Sequence, residues 1–438
     1  MSLRIWDAKI IACMAVLLAS GAVDAAAASV VNGTASDPVE IARSVDRGDF
    51  SSLDAISLED LPPSSRALVQ AQRAASRLDY RSVRHRLAEF RLSKSQATAE
   101  LAVAAEVDAS TSFAAARYHD AWRAAVRYGE LERRLGDANG VADAAQTAAV
   151  ARILARMPPQ RLRMSELRPV TSRRDAAGLV RIDVSFGGRE LSMVVDTGAN
   201  ISVLSESAAS RLGVRILGGP ASVAASAANA VPVRIALADN LEFGGLHFRN
   251  AAFLVLRDAD LSLPLPGGYG IDGILGFPLF RQTGGASFGP GATFMGVAPS
   301  EAASAATDLR VSGSDLFATA MVAGHRTDLH LDTGAASTDL TAAFLEKHPT
   351  MLAGAPRHRA HVAGAGGSKE IDVAKLAAVP IRLGNAATVT MDLDVSTSDA
   401  PQPIKWMGTL GQDVLKRWRW WGIDLRRMRL LAGPGIEG

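Results

Sequence analysis

The sequence lacks several features that would each indicate a particular class of function. Its only cysteine, Cys13, lies near the N-terminus, so the rest of the chain has no disulfide and depends on buried apolar surface. The formal net charge is only +2 over 438 residues, and no basic stripe is interleaved with aromatic residues, which argues against a nucleic-acid partner. The apolar run from Ile10 to Leu18 is too short to span a bilayer comfortably. The length is enough for about two to four domains, each with its own core.

The N-terminus has the layout of a secretory signal peptide. Two basic residues precede the apolar run, and small residues follow it to Ala28. We therefore predict a signal peptide over residues 1–28, cleaved near Ala25 or Ala28, and an exported product, periplasmic or secreted, without a stable membrane span. A retained anchor is disfavoured by the short run. A lipoprotein acylated at Cys13 is disfavoured because most of the apolar run follows that cysteine.

The next segment has a helical pattern. Residues 36–157 are rich in Ala, Arg, Leu and Glu, and Val83, Leu87 and Phe90 share one face at three- and four-residue spacing. Two stretches resemble each other loosely at a period near forty, which predicts a domain of helical hairpins, or a tetratricopeptide-like array. The aromatic face of these helices favours ordinary helix packing, with a protein partner on this domain as the alternative.

After two prolines the sequence pattern changes from one typical of helices to one typical of strands. We predict a linker over residues 158–176, a strand-rich first repeat over 177–297, an Ala/Ser-rich connector over 298–310 and a strand-rich second repeat over 311–433. Short apolar runs that alternate with polar residues and end at glycine turns are typical of β-strands. The fold class is therefore multidomain, with an α-helical part followed by an all-β part.

The two repeats share a motif that carries chemistry. An apolar run leads into Asp-Thr-Gly-Ala at Asp196 and again at Asp332, with a hydroxyl residue six positions after each aspartate. A triplet ending in Leu-Gly follows in both, Ile274-Leu275-Gly276 with its glycine 80 positions after Asp196, and Thr409-Leu410-Gly411 with its glycine 79 positions after Asp332. Each aspartate could instead belong to an ordinary turn, since Asp and Gly favour turns. The matched positions directly after a strand favour a duplicated functional site.

These residues resemble the aspartic peptidases, and more specifically the retropepsin-like families found in bacteria and retroviruses. The resemblance covers about residues 178–433. It implies a bilobal fold in which two pseudo-twofold-related lobes of one chain each supply a catalytic aspartate, Asp196 and Asp332. It also implies a polypeptide substrate. The contrasting interpretation is a non-catalytic binding or scaffold protein with a relic peptidase fold.

The chemistry of such a pair is direct. Two carboxylates held about 3 Å apart cannot both ionise, so they share one proton. The ionised member accepts a proton from an attacking water, and the protonated member hydrogen-bonds the peptide carbonyl; no metal or other cofactor is expected. By resemblance, Thr197 and Thr333 hydrogen-bond between the lobes, and Gly198 and Gly334 let backbone N–H groups approach the carboxylates.

The resemblance also implies mobile flaps over the site. The flap residues would be Ala224, Ala225 and Ser226 in the first repeat and Gly364, Ala365, Gly366 and Gly367 in the second. The first of these segments has no glycine, which raises the question of whether both flaps close in the same way.

Alanine follows the glycine in both motifs, at Ala199 and Ala335, where pepsin-like enzymes usually have a hydroxyl donor. Without that donor the ionised pair is stabilised less, so its apparent pKa should rise and activity should peak in mildly acidic to near-neutral conditions.

Three further features favour structural roles. His358 and His361 have arginine neighbours and no carboxylate at ligand spacing in the sequence, which predicts a solvated loop and not a metal site. Asp339 stands where the first repeat has Val203, so its carboxylate must reach solvent or a donor. Trp406 is expected to pack in the core, with a role in a substrate cleft as the minor alternative.

Overall fold

The computed structural model describes most of the chain: residues 10–12, 16–17, 37–93, 96–225, 228–263, 268–296, 303–397 and 406–436. Cys13 and the predicted cleavage region near Ala25 and Ala28 lie outside the described residues. Within the predicted signal peptide, two short strands are described, β1 (Ile10–Ala12) and β2 (Val16–Leu17).

The predicted helical segment is confirmed as helical. Its helices are α1 (Pro38–Asp46), α2 (Ser51–Ala55), α3 (Pro63–Ala75), α4 (Tyr80–Leu92), α5 (Thr98–Ala114), α6 (Tyr118–Leu135) and α7 (Ala138–Leu154). The side chains of Asp37 and Asp79 cap α1 and α4 by accepting hydrogen bonds from first-turn N–H groups. Val83, Leu87 and Phe90 are fully buried, as the periodicity predicts.

The predicted linker and connector both contain strands. The linker contains β3 (Arg161–Met164) and β4 (Val170–Arg174). Their residues are mostly exposed; β3 alternates arginine with apolar residues over only four positions, and β4 shows no such alternation, so the local strand signal is weak. The connector contains the start of β18 (Ala305–Ser312), which pairs with the last strand, β27 (Arg429–Ala432). Such long-range pairing leaves no local signal.

The strands of the two repeats follow. In the first repeat they are β5 (Val180–Phe186), β6 (Arg189–Val195), β7 (Ser202–Ser205), β8 (Arg215–Ala225), β9 (Ala228–Ala238), β10 (Leu241–Phe243), β11 (Leu246–Arg249), β12 (Ala251–Leu256), β13 (Ser262–Leu263), β14 (Tyr269–Gly270), β15 (Gly273–Leu275), β16 (Gly285–Gly289) and β17 (Ala292–Met295). In the second they are β19 (Asp315–Val322), β20 (His325–Leu331), β21 (Asp339–Leu340), β22 (Arg357–Gly364), β23 (Gly367–Arg382), β24 (Val389–Ser396), β25 (Gly408–Leu410), β26 (Trp421–Asp424) and β27 (Arg429–Ala432). Short helices complete them: α8 (Glu206–Leu212), α9 (Phe277–Thr283), α10 (Ala342–Lys347) and α11 (Gln412–Leu415), with 3-10 turns at Asp258–Leu261 and Pro349–Leu352.

The two repeats share one sheet. Strand β16 pairs with β17 on one side and with β26 on the other, and β26 pairs in turn with β27. On this sheet the Phe288 ring stacks on Trp421 with 4.0 Å between centroids. Apolar side chains of both repeats belong to one buried core, so neither repeat buries its apolar surface alone.

The helical segment packs directly against the repeats. Phe50 of the α2 N-terminus meets Phe317 of β19 edge-on, with ring centroids 5.6 Å apart. The Val311 N–H donates to the Ser76 carbonyl at 3.0 Å, and Phe113 belongs to an apolar cluster that includes Val194. In the described part of the chain, no helix combines the length and apolarity needed to cross a membrane.

Candidate active site

Each motif aspartate stands at the end of a buried strand. Strand β6 runs parallel to β15, and the Asp196 N–H donates to the Leu275 carbonyl at 3.0 Å. Strand β20 runs parallel to β25 in the same way, and the Asp332 N–H donates to the Leu410 carbonyl at 3.2 Å. The final residues of both strands are buried; those of β6 are all apolar, whereas β20 has His330 between two leucines.

The two triplet glycines lie where another chain segment crosses. A Cβ on Gly276 would stand 2.7 Å from the Ala199 carbonyl oxygen, and one on Gly411 would stand 2.4 Å from the Ser337 carbonyl oxygen. Both glycine N–H groups donate at 3.0 Å to the hydroxyl six positions after the aspartate, Ser202 in the first repeat and Thr338 in the second. The repeated hydroxyl of the motif thus binds the repeated glycine.

The motif threonines join the two repeats. The Thr197 N–H donates to the Thr333 hydroxyl at 3.0 Å, and the Thr333 N–H donates to the Thr197 hydroxyl at 3.1 Å. Each hydroxyl then donates at 2.7 Å to the carbonyl of the residue before the opposite aspartate, Leu331 or Val195. All of these groups are buried, so the bonds are not weakened by competition with water.

The two carboxylates lie together at this junction. Asp196 and Asp332 are fully buried. A Cβ on Gly334 would stand 2.5 Å from Asp196 Oδ2, and a Cβ on Gly198 would stand 2.7 Å from Asp332 Oδ1. The N–H groups of Gly198 and Gly334 donate at 2.7 Å to the aspartate of their own motif. Only glycine leaves room for this approach.

Burial raises the pKa of Asp196 well above its ordinary value, and the charge and hydrogen bonding of Asp332 raise it further. The N–H groups of Gly198 and Ala199 oppose this rise by donating to the carboxylate. The result is a carboxyl group that retains a proton where an exposed aspartate is ionised, beside a second carboxyl group. Such a pair can both donate and accept a proton.

Sequence reasoning missed three polar residues behind the carboxylates. His330 is fully buried in β20, and its Nε2 stands 3.8 Å from Oδ1 of Asp315. Burial lowers the pKa of His330. Burial also raises the pKa of Asp315 to about 7, and a hydrogen bond from Asn200 to Asp315 opposes that rise. The signal was present, because His330 interrupts an apolar run at the position of Val194 in the first repeat.

Trp406 is buried and stacks on the His330 ring, with centroids 4.5 Å apart. It also meets Phe317 edge-on at 6.1 Å. The expectation that it packs in the core is confirmed.

The residues predicted as flaps fall in two hairpins. Strands β8 and β9 form the first, with Ala225 opposite Ala228; the predicted flap residue Ser226 lies outside the described residues. Strands β22 and β23 form the second, with Gly364 opposite Gly367 around Ala365 and Gly366. Gly366 and Gly367 have φ values of 90° and 115°, which glycine adopts without strain.

The N-terminal strands pair with both hairpins. Strand β1 runs parallel to β22, with Ile10 opposite His361 and Ala12 opposite Ala363. Strand β2 runs antiparallel to β8, with Val16 opposite Ala225. Strands β1 and β2 thus each add to the edge of one hairpin, in the manner of strand addition.

Two further predictions concern Asp339 and the pair of histidines. The Asp339 carboxylate finds a donor in the Thr409 N–H at 3.2 Å, while burial raises its pKa to about 7. The solvated loop predicted at His358 and His361 is wrong, because both histidines lie in strand β22. Their carboxylate neighbours are distant in sequence: His361 Nε2 lies 3.2 Å from Glu370 across the hairpin, and His358 Nε2 lies 3.6 Å from Asp394. Among the described residues no group of three or more His, Cys, Asp or Glu side chains could hold a metal ion.

A family model described as aspartyl protease matches residues 182–279, a stretch of the first repeat that includes Asp196 and Gly276. Among solved structures, the chain is similar to a retropepsin-like aspartic protease from Rickettsia conorii. The match has 19% sequence identity and a TM-score of 0.22, and it covers 32% of this chain and 96% of that one. No curated protein matches the chain significantly.

Proposed function

We propose that the protein is an aspartic endopeptidase that hydrolyses peptide bonds in an extended polypeptide, with Asp196 and Asp332 as its catalytic dyad. The repeats over residues 177–297 and 311–433 would be two pseudo-twofold-related lobes of one chain, following a helical domain over 36–157. One carboxylate would take a proton from the attacking water while the other hydrogen-bonds the scissile carbonyl.

The observation that carries this proposal is the meeting of two buried carboxylates from positions 136 residues apart in the sequence. The matching N–H donors at Gly198 and Gly334 and the reciprocal threonine bonds add to it. A polypeptide substrate is favoured because a segment of this chain already pairs with both hairpins. Export to the periplasm or medium remains our prediction from the N-terminal pattern.

The test is a cleavage assay on a mixed peptide library between about pH 3 and 8, using the full chain and a chain that lacks residues 1–28. We expect Asp196→Asn and Asp332→Asn each to abolish cleavage, since a single carboxylate cannot supply both proton transfers. The matched control is Asp183→Asn, an exposed carboxylate of the first repeat paired with Arg173, which should leave cleavage unchanged. Cleavage that survives Asp196→Asn, or no cleavage at any pH by either chain, would reject the proposal.

A further inference from the structure

A cavity of about 100 Å³ lies between the helical segment and the two repeats. Helices α1, α3, α5, α6 and α7 form one wall, and Asn200 and residues 311–315 form the other. This space is enough for several water molecules or a small organic group, since one water needs roughly 10–15 Å³ measured in the same way. Part of its lining is apolar or small: Ala42, Ala75, Val107, Ala109, Phe113 and Ala144.

The cavity has a negative electrostatic character. Asp46, Glu106, Asp143 and Asp315 line it, and no Lys, Arg or His is among the lining residues that the structure describes. Tyr128 also lines the cavity and is exposed to the same carboxylates. The pKa of Tyr128 is raised first by burial and then by the carboxylates around it, Glu106 being the largest contributor. A field that opposes a phenolate favours a cation.

Three neutral or acidic side chains on the wall offer acceptor atoms that no described residue satisfies. They are Gln72 Oε1, Asn200 Oδ1 and Asp315 Oδ1, in side chains that are only 2–3% exposed. The other end of Gln72 is held, since its Nε2 donates to the Pro38 carbonyl at 3.0 Å. Each buried acceptor without a donor carries an uncompensated desolvation penalty. A ligand with several N–H donors would remove that cost.

We propose that this cavity binds a small organic cation, an alkylammonium with a short apolar body. Its ammonium group would donate to the acceptors of Gln72, Asn200 and Asp315, and its apolar body would cover the alanine-rich part of the lining. A metal ion fits less well, because the described residues include no group of three acidic, His or Cys ligands suited to hold one. The site differs from the peptide cleft, since its wall is made largely by the helices.

The test is isothermal titration calorimetry on the full chain at pH 7 with n-pentylammonium and, as an isosteric neutral probe, 1-pentanol. We expect the ammonium to bind at least about tenfold more tightly than the alcohol. The double variant Asp46→Asn/Asp143→Asn keeps the shape of the lining and should lose at least about tenfold in ammonium affinity. The control Asp183→Asn/Asp239→Asn removes two exposed carboxylates of the first repeat and should bind as the wild type does.

A second variant keeps the test decisive if the first one unfolds. Ala75→Leu narrows the cavity without removing a charge, and it should weaken both probes while circular dichroism remains native. Equal affinity for ammonium and alcohol, or no binding of the ammonium, would overturn the proposal. So would ammonium binding that either cavity variant leaves unchanged, or that the surface control weakens as much as Asp46→Asn/Asp143→Asn does. Peptidase activity plays no part in these readouts.

Discussion

Thr197 and Thr333 each donate a backbone N–H to the hydroxyl of the other, at 3.0 and 3.1 Å. Each hydroxyl in turn donates a hydrogen bond to a carbonyl of the opposite strand, at 2.7 Å in both cases. Four buried hydrogen bonds therefore connect residues 134 to 138 positions apart and set the separation of the two strand ends that carry Asp196 and Asp332.

This relationship predicts that Thr197→Val is destabilising. The substitution keeps the side-chain shape but leaves the Thr333 N–H without an acceptor and the Leu331 carbonyl without a donor. Because both groups are buried, the free energy of unfolding should fall by about 2–5 kcal/mol. Urea unfolding measures the loss, and Thr197→Ser, which keeps the hydroxyl, is the control that should lose much less. Similar stability of the valine and serine variants would contradict the bonding described.

Replacing either motif glycine should reduce activity, because any side chain at that position would crowd a carboxylate. A methyl group at position 198 would meet the Asp332 carboxyl carbon at 2.7 Å, and one at 334 would meet the Asp196 carboxyl carbon at 2.5 Å. Both Gly198→Ala and Gly334→Ala should displace a carboxylate and reduce kcat by roughly 100-fold or more. Gly218→Ala is the matched control, since nothing lies within 4 Å of its added methyl group. An active Gly198→Ala variant would speak against the proposed dyad.

The activity should depend on pH in a defined direction. Burial and the neighbouring Asp332 raise the pKa of Asp196 well above its ordinary value, so the pair keeps its shared proton into mildly acidic or near-neutral conditions. We expect the pH–rate profile to peak there. Ala199→Ser adds a hydroxyl donor beside the Asp196 carboxylate and should move the acid limb to lower pH. A wild-type optimum below about pH 3 would contradict the expectation.

Stability should fall as pH rises through the acidic range, with part of the fall due to Asp315. Burial raises its pKa from 3.8 to about 7, so the folded state binds more protons than the unfolded state between these values. This favours folding at low pH, and the advantage is lost by up to about 1.4 kcal/mol per pH unit on the way to pH 7. Urea unfolding from pH 4.5 to 7.5 should show a shallower fall for Asp315→Asn. Equal slopes would refute the assignment.

The pairing of β1 and β2 with the hairpins predicts that the N-terminal segment blocks the cleft. A chain that lacks residues 1–28 should therefore cleave peptides with a higher kcat/KM than the full chain. A synthetic peptide of residues 8–19 should inhibit the shortened chain competitively, because it can restore the same backbone pairing, and a scrambled peptide should not. Equal kcat/KM values for the two chains would show that the segment does not compete with substrate.

Several features of the site were readable from local patterns. The apolar run before each Asp-Thr-Gly-Ala, the later glycine triplet and the helical periodicity at Val83, Leu87 and Phe90 all depend on neighbours in the sequence, and the structure agrees with each. Strands β3 and β4 were missed because they are short and mostly exposed, so their local pattern is weak and pairing with other strands is what reveals them.

The sequence by itself determined which residues repeat, where strands end and which two aspartates are candidates, because strand periodicity and turn chemistry act over a few residues. Only the tertiary structure decided which atoms of the two threonines bond to each other, that His330 stands beside Asp315, and that the N-terminal strands pair with both hairpins. The cavity beneath the helices is likewise tertiary. These contacts join residues far apart in the chain. A sequence pattern can predict that a side chain is buried, but it does not show which residues that side chain contacts.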